Sequence, residues 1–502
     1  MKRFLSVSFF TESQRSVVVD RLALATVLTI ALYVRFYSIS IPAIWYDEAY
    51  SLLLARETPT RIWALTALDV HPPLYYVLLH YWVMVWGESP FSARALSALA
   101  DVGTLLLCIK LMSLVATRRA TWIAALLFAL LPISVRYSQE VRMYTLLGFW
   151  LMGATVALVC WAREPEKKRL AFIYVMLMVA AFYTHYFAGL CVFTHWLWWF
   201  FSIRRGHSIP TRIWGLTNGV IILLFLPWVP SLLEQFAVNP STIWMPALSW
   251  QSGLGLIWRM VVNHEAENHF SWWQVWPPFF LVVCAVVGHM KNQDSSGDGG
   301  LLAGYFFIPV VILIVVCIFK NMLHQRYLYF AVVGAPMIVA VFLDTIWRVR
   351  RGWAVCVLIL LVVGEAQVIL KAAKIREGFG PFALMTEQIN LQYRIGDEIL
   401  IDDLKFYLPF VIYNTTSIEP KIYVGKFSRI EGGYPDRFGW ALLSDIRKKR
   451  VFDENSLPQI AKRVWLIGGT LVGESLFFNS SQWKKTAIIH GAEVDARLFV
   501  RK

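Results

Sequence analysis

Apolar residues run through this chain in blocks of about 17–25, with few charges inside a block and short polar or basic stretches between blocks. Coiled as helices, blocks of that length match the hydrocarbon core of a bilayer. They predict crossings near 20–40, 93–113, 120–137, 143–162, 169–186, 187–203, 213–232, 276–290, 301–319, 328–346 and 353–370, about eleven in all. Residues 41–90 break the pattern with two short helical pieces, "DEAYSLLLARE" and "PPLYYVLLHYWVMVWG". The second opens on proline and is short for a crossing, so it reads as an interfacial or re-entrant helix. From about residue 381 the pattern changes again: "GDEILIDDLKFYLPFVIYN" and "RVWLIGG" read as strands, "GWALLSDIRKKR" and "LPQIAKRV" as helices. The expected organisation is a polytopic α-helical membrane domain over 1–375 and a small α/β domain over 381–502.

Composition agrees. Of 502 residues, 58% are hydrophobic and 16% charged, where a soluble chain carries about 25% charged residues. The net charge of +14 does not point to nucleic acid, because the basic residues cluster in short loops between apolar blocks. Those loops, "TRRAT", "REPEKKR", "RRGHSIPTR" and "RVRRG", read as cytoplasmic, with "KNQDSSGDGG" nearly neutral. The polar, basic start with Lys2, Arg3 and Arg15 is expected on the same side, and the helix after it reads as an uncleaved anchor. Residues 41–90 and everything after about 371 then face outward. The six cysteines lie in or beside apolar runs and show neither a disulfide framework nor zinc spacing. The chain shows no internal repeat and no glycine-rich nucleotide loop.

Unusual polar residues gather on the outward side. An adjacent Asp47 and Glu48 follow the first block, flanked by Tyr46 and Tyr50. "DVHPPLYY" carries His71 and Tyr75; "RYSQEVRMY" carries Arg136, Glu140, Arg142 and Tyr144. "YTHYF" holds His185 and Tyr186, "NHEAENHF" holds Glu265 and Glu267, and "HQRYLYF" holds His324, Arg326 and Tyr327. Each has a bland explanation: arginines snorkel to headgroups, aromatics form interfacial belts, prolines break helices, and a histidine packs. Those explanations leave unexplained why cytoplasmic loops carry only simple basic runs. Arginine forks onto phosphate, aromatic faces suit sugars and isoprenoid tails, and a carboxylate can take a proton from an attacking hydroxyl. Together they fit displacement at a sugar carbon with a lipid phosphate leaving.

At "IWYDEAYSLLLARE", "HPPLYYVLLHYW" and "RYSQEVRMYTLL" the chain closely resembles the GT-C glycosyltransferases of family 39, relatives of protein O-mannosyltransferases and lipid A aminoarabinose transferases. The resemblance covers roughly residues 20–350. It implies a GT-C fold, a polyprenyl-phosphate sugar donor, inverting transfer and an extracytoplasmic first loop. By this resemblance Asp47 is the general base, while Glu48 positions the acceptor or the loop; neighbours on a helix point about 100° apart. Arg136, Arg142 and Arg326, with His71, Tyr144 and Tyr327, are the expected donor-phosphate residues. Tyr46, Tyr50, Tyr75, Glu140, His185, Tyr186 and His324 are the expected donor and acceptor pocket. Some relatives have lysine where this chain has His71, which makes charge there pH-dependent. The β-trefoil of the protein mannosyltransferases has no match in the chain, so the acceptor is left as a glycan, a lipid or a protein. No cofactor is demanded, and a divalent cation near the acidic pair is allowed but required by no ligand spacing. The competing class is a transporter or flippase, which predicts inverted repeats and broken midplane helices where this chain shows its charges at one face. A non-catalytic scaffold would not need Asp47. The expected home is a bacterial inner membrane, with site and C-terminal domain extracytoplasmic.

Overall fold

The computed structural model describes residues 12–203, 209–238, 247–262, 272–291, 299–377, 381–423, 441–442, 450–451, 461–469, 482–491 and 494–502. The first block is α1 (Glu12–Phe36). The loop after it folds into three short helices, α2 (Tyr46–Ala55), α3 (Pro59–Ala67) and α4 (Leu74–Trp86). Of these α3 was not foreseen; Pro59 opens it and Thr58 caps it. Then come α5 (Pro90–Val115), α6 (Arg118–Ala129), α7 (Pro132–Ser138), α8 (Tyr144–Arg163), α9 (Lys168–Thr184) and α10 (Ala188–Ile203). They are followed by α11 (Thr211–Phe225), α12 (Val229–Val238), α13 (Trp250–Val262), α14 (Trp276–Lys291) and α15 (Gly299–Phe319). A 3-10 turn at Gln325–Leu328 leads into α16 (Tyr329–Val332), α17 (Gly334–Val349) and α18 (Arg351–Glu377).

Seven described helical stretches are long and apolar enough to cross a membrane, and α6 with α7 makes an eighth if that pair, bent by 54°, is one span. The bend falls before Pro132, which lacks an amide hydrogen for the helical ladder. Three further expected crossings, α9, α10 and α14, do form helices, of 17, 16 and 16 residues, at the lower end of what spans a bilayer. Among the described residues, length and composition alone thus pick out seven or eight such stretches, and the expected total of eleven is not confirmed. The chain is a multi-span membrane protein.

The C-terminal part is a mixed sheet of β1 (Asp397–Ile401), β2 (Lys421–Tyr423), β3 (Arg450–Val451), β4 (Arg463–Gly469), β5 (Trp483–His490) and β6 (Val494–Arg501), ordered β3-β2-β1-β4-β6-β5. Strands β1 to β4 pair in parallel, whereas β4–β6 and β5–β6 are antiparallel. The apolar runs of β1 and β4 suit central parallel strands buried on both faces. The expected strand over "GDEILIDDLKFYLPFVIYN" is half right: β1 takes its start, but Asp403 then accepts from the Lys405 amide and caps α20 (Leu404–Tyr413). A continuous apolar run hid that switch of period. The two expected helices lie largely outside the described residues; in the first, Ala441 and Leu442 form a 3-10 turn, while Arg450 and Arg463, at the C-terminal ends, are strand. With α19 (Pro381–Gln392) and α20, the sheet joins the helical body through one continuous apolar core that includes Tyr50, Leu54, Met385, Ile399 and Tyr407.

Candidate active site

Helix α2 carries the acidic pair, and the two carboxylates go separate ways. Glu48 is wholly enclosed. Its Oε1 accepts from Arg94 Nε at 2.8 Å and from the Val141 amide at 2.9 Å; its Oε2 accepts from Arg94 Nη2 at 2.6 Å. Arg94, on α5, also donates to the carbonyls of Ile39, Pro42 and Ala43. The pair thus straps the segment entering α2 to the helical body. Arg94 escaped the sequence reading because "FSARALS" looks like an ordinary snorkelling position.

Asp47 faces the other way, with 20% of its side chain accessible against none for Glu48. Arg326 Nη1 donates to Asp47 Oδ2 at 2.9 Å, and Arg142 Nη2 stands 3.9 Å from the same oxygen. Arg142 Nη1 also donates to the Asp47 carbonyl at 3.3 Å and to Ser51 Oγ at 3.4 Å. Arg142 is buried, and its Nε has no hydrogen-bond partner among the described residues. Burial works against the Arg142 charge, yet Asp47, Tyr76 and Tyr144 together outweigh it and keep that guanidinium protonated. Two fixed cations thus share one carboxylate.

Beside this cluster stands a wall of rings. The Arg142 guanidinium lies 5.9 Å from the Tyr144 ring centre, and that of Arg326 lies 5.8 Å from Tyr327. His185 lies within 6.0 Å of the rings of His71, Tyr144, Phe187 and Tyr327. The His185 Nδ1 accepts from the Phe187 amide at 3.2 Å. Burial and then the nearby His71, Arg142 and Arg326 push its pKa well below the usual value, so it is neutral. The tautomer that follows places the proton on Nε2, which has no partner among the described residues. His71, 3.5 Å from Asp69 Oδ2, is likewise lowered by burial, with Asp69 opposing. It does not act as a fixed cation in the way a lysine would.

The remaining expected residues fall into three groups. Arg136 pairs with Glu140 at 3.6 Å, and burial, opposed by Arg136, raises the Glu140 carboxyl. Tyr50 and Tyr75, each against Tyr76, are buried between α2 and α4 and back the site rather than open into it. Tyr46 stays partly accessible, its hydroxyl raised by burial and by Asp47, Asp69 and Asp403. Tyr186 is drawn elsewhere: its hydroxyl donates to Gln235 at 2.6 Å and accepts from Trp228 at 2.7 Å, while Gln235 donates to the Thr66 carbonyl at the end of α3. His324 accepts from the Arg326 amide at 3.3 Å and caps the 3-10 turn, and burial and then Arg326 push its pKa down to about 2. The motif with Glu265 and Glu267 lies outside the described residues.

One buried network was not foreseen. Asp101, near the middle of α5, accepts from Arg35 Nε at 2.6 Å, from Ser134 Oγ at 2.6 Å and from the Tyr329 hydroxyl. Arg35 donates further to Ser134 Oγ at 3.0 Å and to the Ala129 carbonyl at 2.8 Å. Gln139 satisfies the last carbonyls around the end of α1, including those of Arg35 and Tyr37. All of Arg35, Asp101 and Ser134 are fully buried, and the network ties α1, α5, α7 and α16 together one turn from Arg326. Among the described residues no group of three or more His, Cys, Asp or Glu side chains forms a metal site.

The chain matches no family model and no curated protein. It is similar to solved structures. ArnT from Cupriavidus metallidurans in the apo state is 12% identical, with a TM-score of 0.64 over 96% of this chain and 98% of that one. The same ArnT bound to undecaprenyl phosphate gives a TM-score of 0.54 at 12% identity, covering 95% and 97%. The oligosaccharyltransferase AglB from Archaeoglobus fulgidus, in complex with an inhibitory peptide and a dolichol-phosphate, gives 0.53 at 14% identity, covering 89% and 69%. At such identities the shared property is the fold. This chain has the polytopic GT-C fold with a small C-terminal sheet domain.

Proposed function

We propose that this protein is a membrane glycosyltransferase that moves a sugar from a polyprenyl-phosphate donor to an acceptor hydroxyl, with inversion, and that Asp47 is its base. The observation that carries the reading is the partly open Asp47 carboxylate flanked by the guanidiniums of Arg142 and Arg326 beside a ring wall. The donor phosphate enters where those cations rest on Asp47 and takes over their forks. The acceptor oxygen then bonds to the sugar carbon as the bond from that carbon to the phosphate oxygen breaks. Asp47 takes the acceptor proton, and the leaving phosphate keeps the electron pair. Its growing charge is met by two preorganised guanidiniums, with Arg136 as a further cation beside them. The neutral His185 Nε2–H offers a hydrogen bond to the donor, and His71 acts as a neutral polar neighbour.

Support for the donor class comes from the structural neighbours, solved with undecaprenyl phosphate and dolichol-phosphate. The basic-loop pattern supports an extracytoplasmic placement of the site and of residues 381–502, and the likeness to ArnT from Cupriavidus metallidurans supports a bacterial inner membrane. A divalent cation at Asp47 would first have to displace Arg326. The acceptor is a hydroxyl on a glycan, lipid or protein. The test is transfer of labelled sugar from lipid extracts of a deletion strain, which should hold an accumulated polyprenyl-phosphate sugar. Purified wild type should consume that lipid and Asp47→Asn should not; no accumulation and no consumption would sink the proposal.

A further inference from the structure

The segment entering α2 is gripped from two sides. From the helical body, Arg94 holds the carbonyls of Ile39, Pro42 and Ala43 and the Glu48 carboxylate. From the C-terminal domain comes one side chain: the Tyr413 hydroxyl, at the end of α20, accepts from the Ile44 amide at 2.7 Å. Ile44 lies three residues before Asp47 and is almost wholly buried. Helix α20 packs directly along α2, and its opening residue Asp403 is near enough to act on the Tyr46 hydroxyl. Tyr413 is itself anchored, since Asn390 on α19 donates to its carbonyl at 2.9 Å and its neighbour Asn414 closes the following turn on Ile418.

We propose that Tyr413 is a positioning residue for the transfer reaction: through its hydroxyl, the C-terminal sheet domain sets the angle at which α2 presents Asp47 to Arg142 and Arg326. The domain is then a working part of the site, although it supplies no reacting group. A buried amide that loses its acceptor leaves the strap free to shift, and small errors in reacting geometry cost rate steeply. Asp47 has only one covalent approach on that side, the strap itself, so a change at Ile44 moves it directly. This inference rests on the glycosyltransferase reading for its kinetic part alone.

The experiment compares wild type with Tyr413→Phe and with Asn414→Ala, which alters the same turn without touching Ile44. Amide hydrogen exchange of the full-length protein in detergent reads the grip, whether or not a substrate is known. Tyr413→Phe should speed exchange at Ile44–Ala49 by about 3–10-fold and leave β1 unchanged, while Asn414→Ala should leave Ile44–Ala49 as in wild type. With the lipid-linked donor, Tyr413→Phe should lower kcat by roughly 10-fold with the donor KM unchanged. Unchanged exchange at Ile44–Ala49 overturns the proposal, as does faster exchange with unchanged kcat. A rise that spreads to β1 makes Tyr413 a fold residue of its own domain and overturns it too. A wild-type protein that transfers no sugar defeats the glycosyltransferase reading instead, and the exchange arm still decides whether Tyr413 holds the strap.

Discussion

Asp47 and Arg326, 279 residues apart in the chain, meet at 2.9 Å between carboxylate and guanidinium. In the absence of donor the base therefore occupies a cation that the phosphate needs. Asp47→Asn keeps the shape but removes both the basic lone pair and the competing charge. Turnover should fall by about 10²–10⁴-fold. Donor binding should tighten by roughly 5-fold, from about 1 kcal/mol of relieved like-charge repulsion at 4 Å in water. Titration with polyprenyl phosphate alone checks the second half, and weaker binding by the variant would contradict this account of the arginines.

Glu48→Gln should behave differently, because Glu48 is enclosed and Arg94 is left buried without its counter-charge. Breaking such a pair costs about 3–5 kcal/mol of stability. The melting temperature in detergent should drop well below that of Asp47→Asn, which should stay near wild type. Replacing both Glu48 and Arg94 with methionine should recover part of the loss. Equal stability of Glu48→Gln and wild type would mean that the strap does not depend on this pair.

Much of this could be read from residue types. The apolar blocks announced a membrane protein, and "WYDEAY", "RYSQEVRMY" and "HQRY" held the three groups that now meet, Asp47, Arg142 and Arg326. What stayed hidden were partners without a motif. Arg94 and Arg35 sit inside apolar blocks, and only the fold reveals that one faces Glu48 and the other Asp101. Tyr186 shared a motif with His185 yet turned to Gln235, because residues next to each other at a helix end point in different directions. The strand-to-helix switch at Asp403 was masked by apolar residues on both sides of it.

If Arg142 and Arg326 stabilise the leaving phosphate, their forks matter as well as their charge. Lysine at either position keeps the cation and loses the paired donors. Each single change to lysine should raise the barrier by about 2–4 kcal/mol, seen as lower kcat with a smaller change in donor KM. Wild-type turnover in both variants would reduce these arginines to partners of Asp47.

Sidedness has a direct check. Thr60 in the first loop and Ser417 after α20 are both exposed. Replaced by cysteine one at a time, in a background where Cys356, the exposed native cysteine, is serine, each should react in intact spheroplasts with a thiol reagent that does not cross membranes. Reaction only after permeabilisation would reverse the orientation and remove the case for a lipid-borne donor.

The C-terminal domain carries its own pH signature at Asp402, where β1 ends against β4. Burial, and then the neighbouring Asp403 charge, raise its pKa from the ordinary carboxylate value to about 7, opposed by the hydrogen bond from the Gly469 amide. The folded chain therefore binds a proton there that the unfolded chain has released between about pH 4 and pH 7. Stability from this group is complete below the unfolded value, falls as pH rises through that window, and is lost above pH 7. Asparagine keeps an acceptor for Gly469 and cannot ionise. Asp402→Asn should thus protect the amides of β1 and β4 from exchange better than wild type at pH 8.5, and the difference should vanish at pH 4.5 once intrinsic rates are corrected. A difference of the same size at both pH values would mean that ionisation of Asp402 costs the fold nothing, and that its enclosure at the end of β1 is looser than the geometry implies.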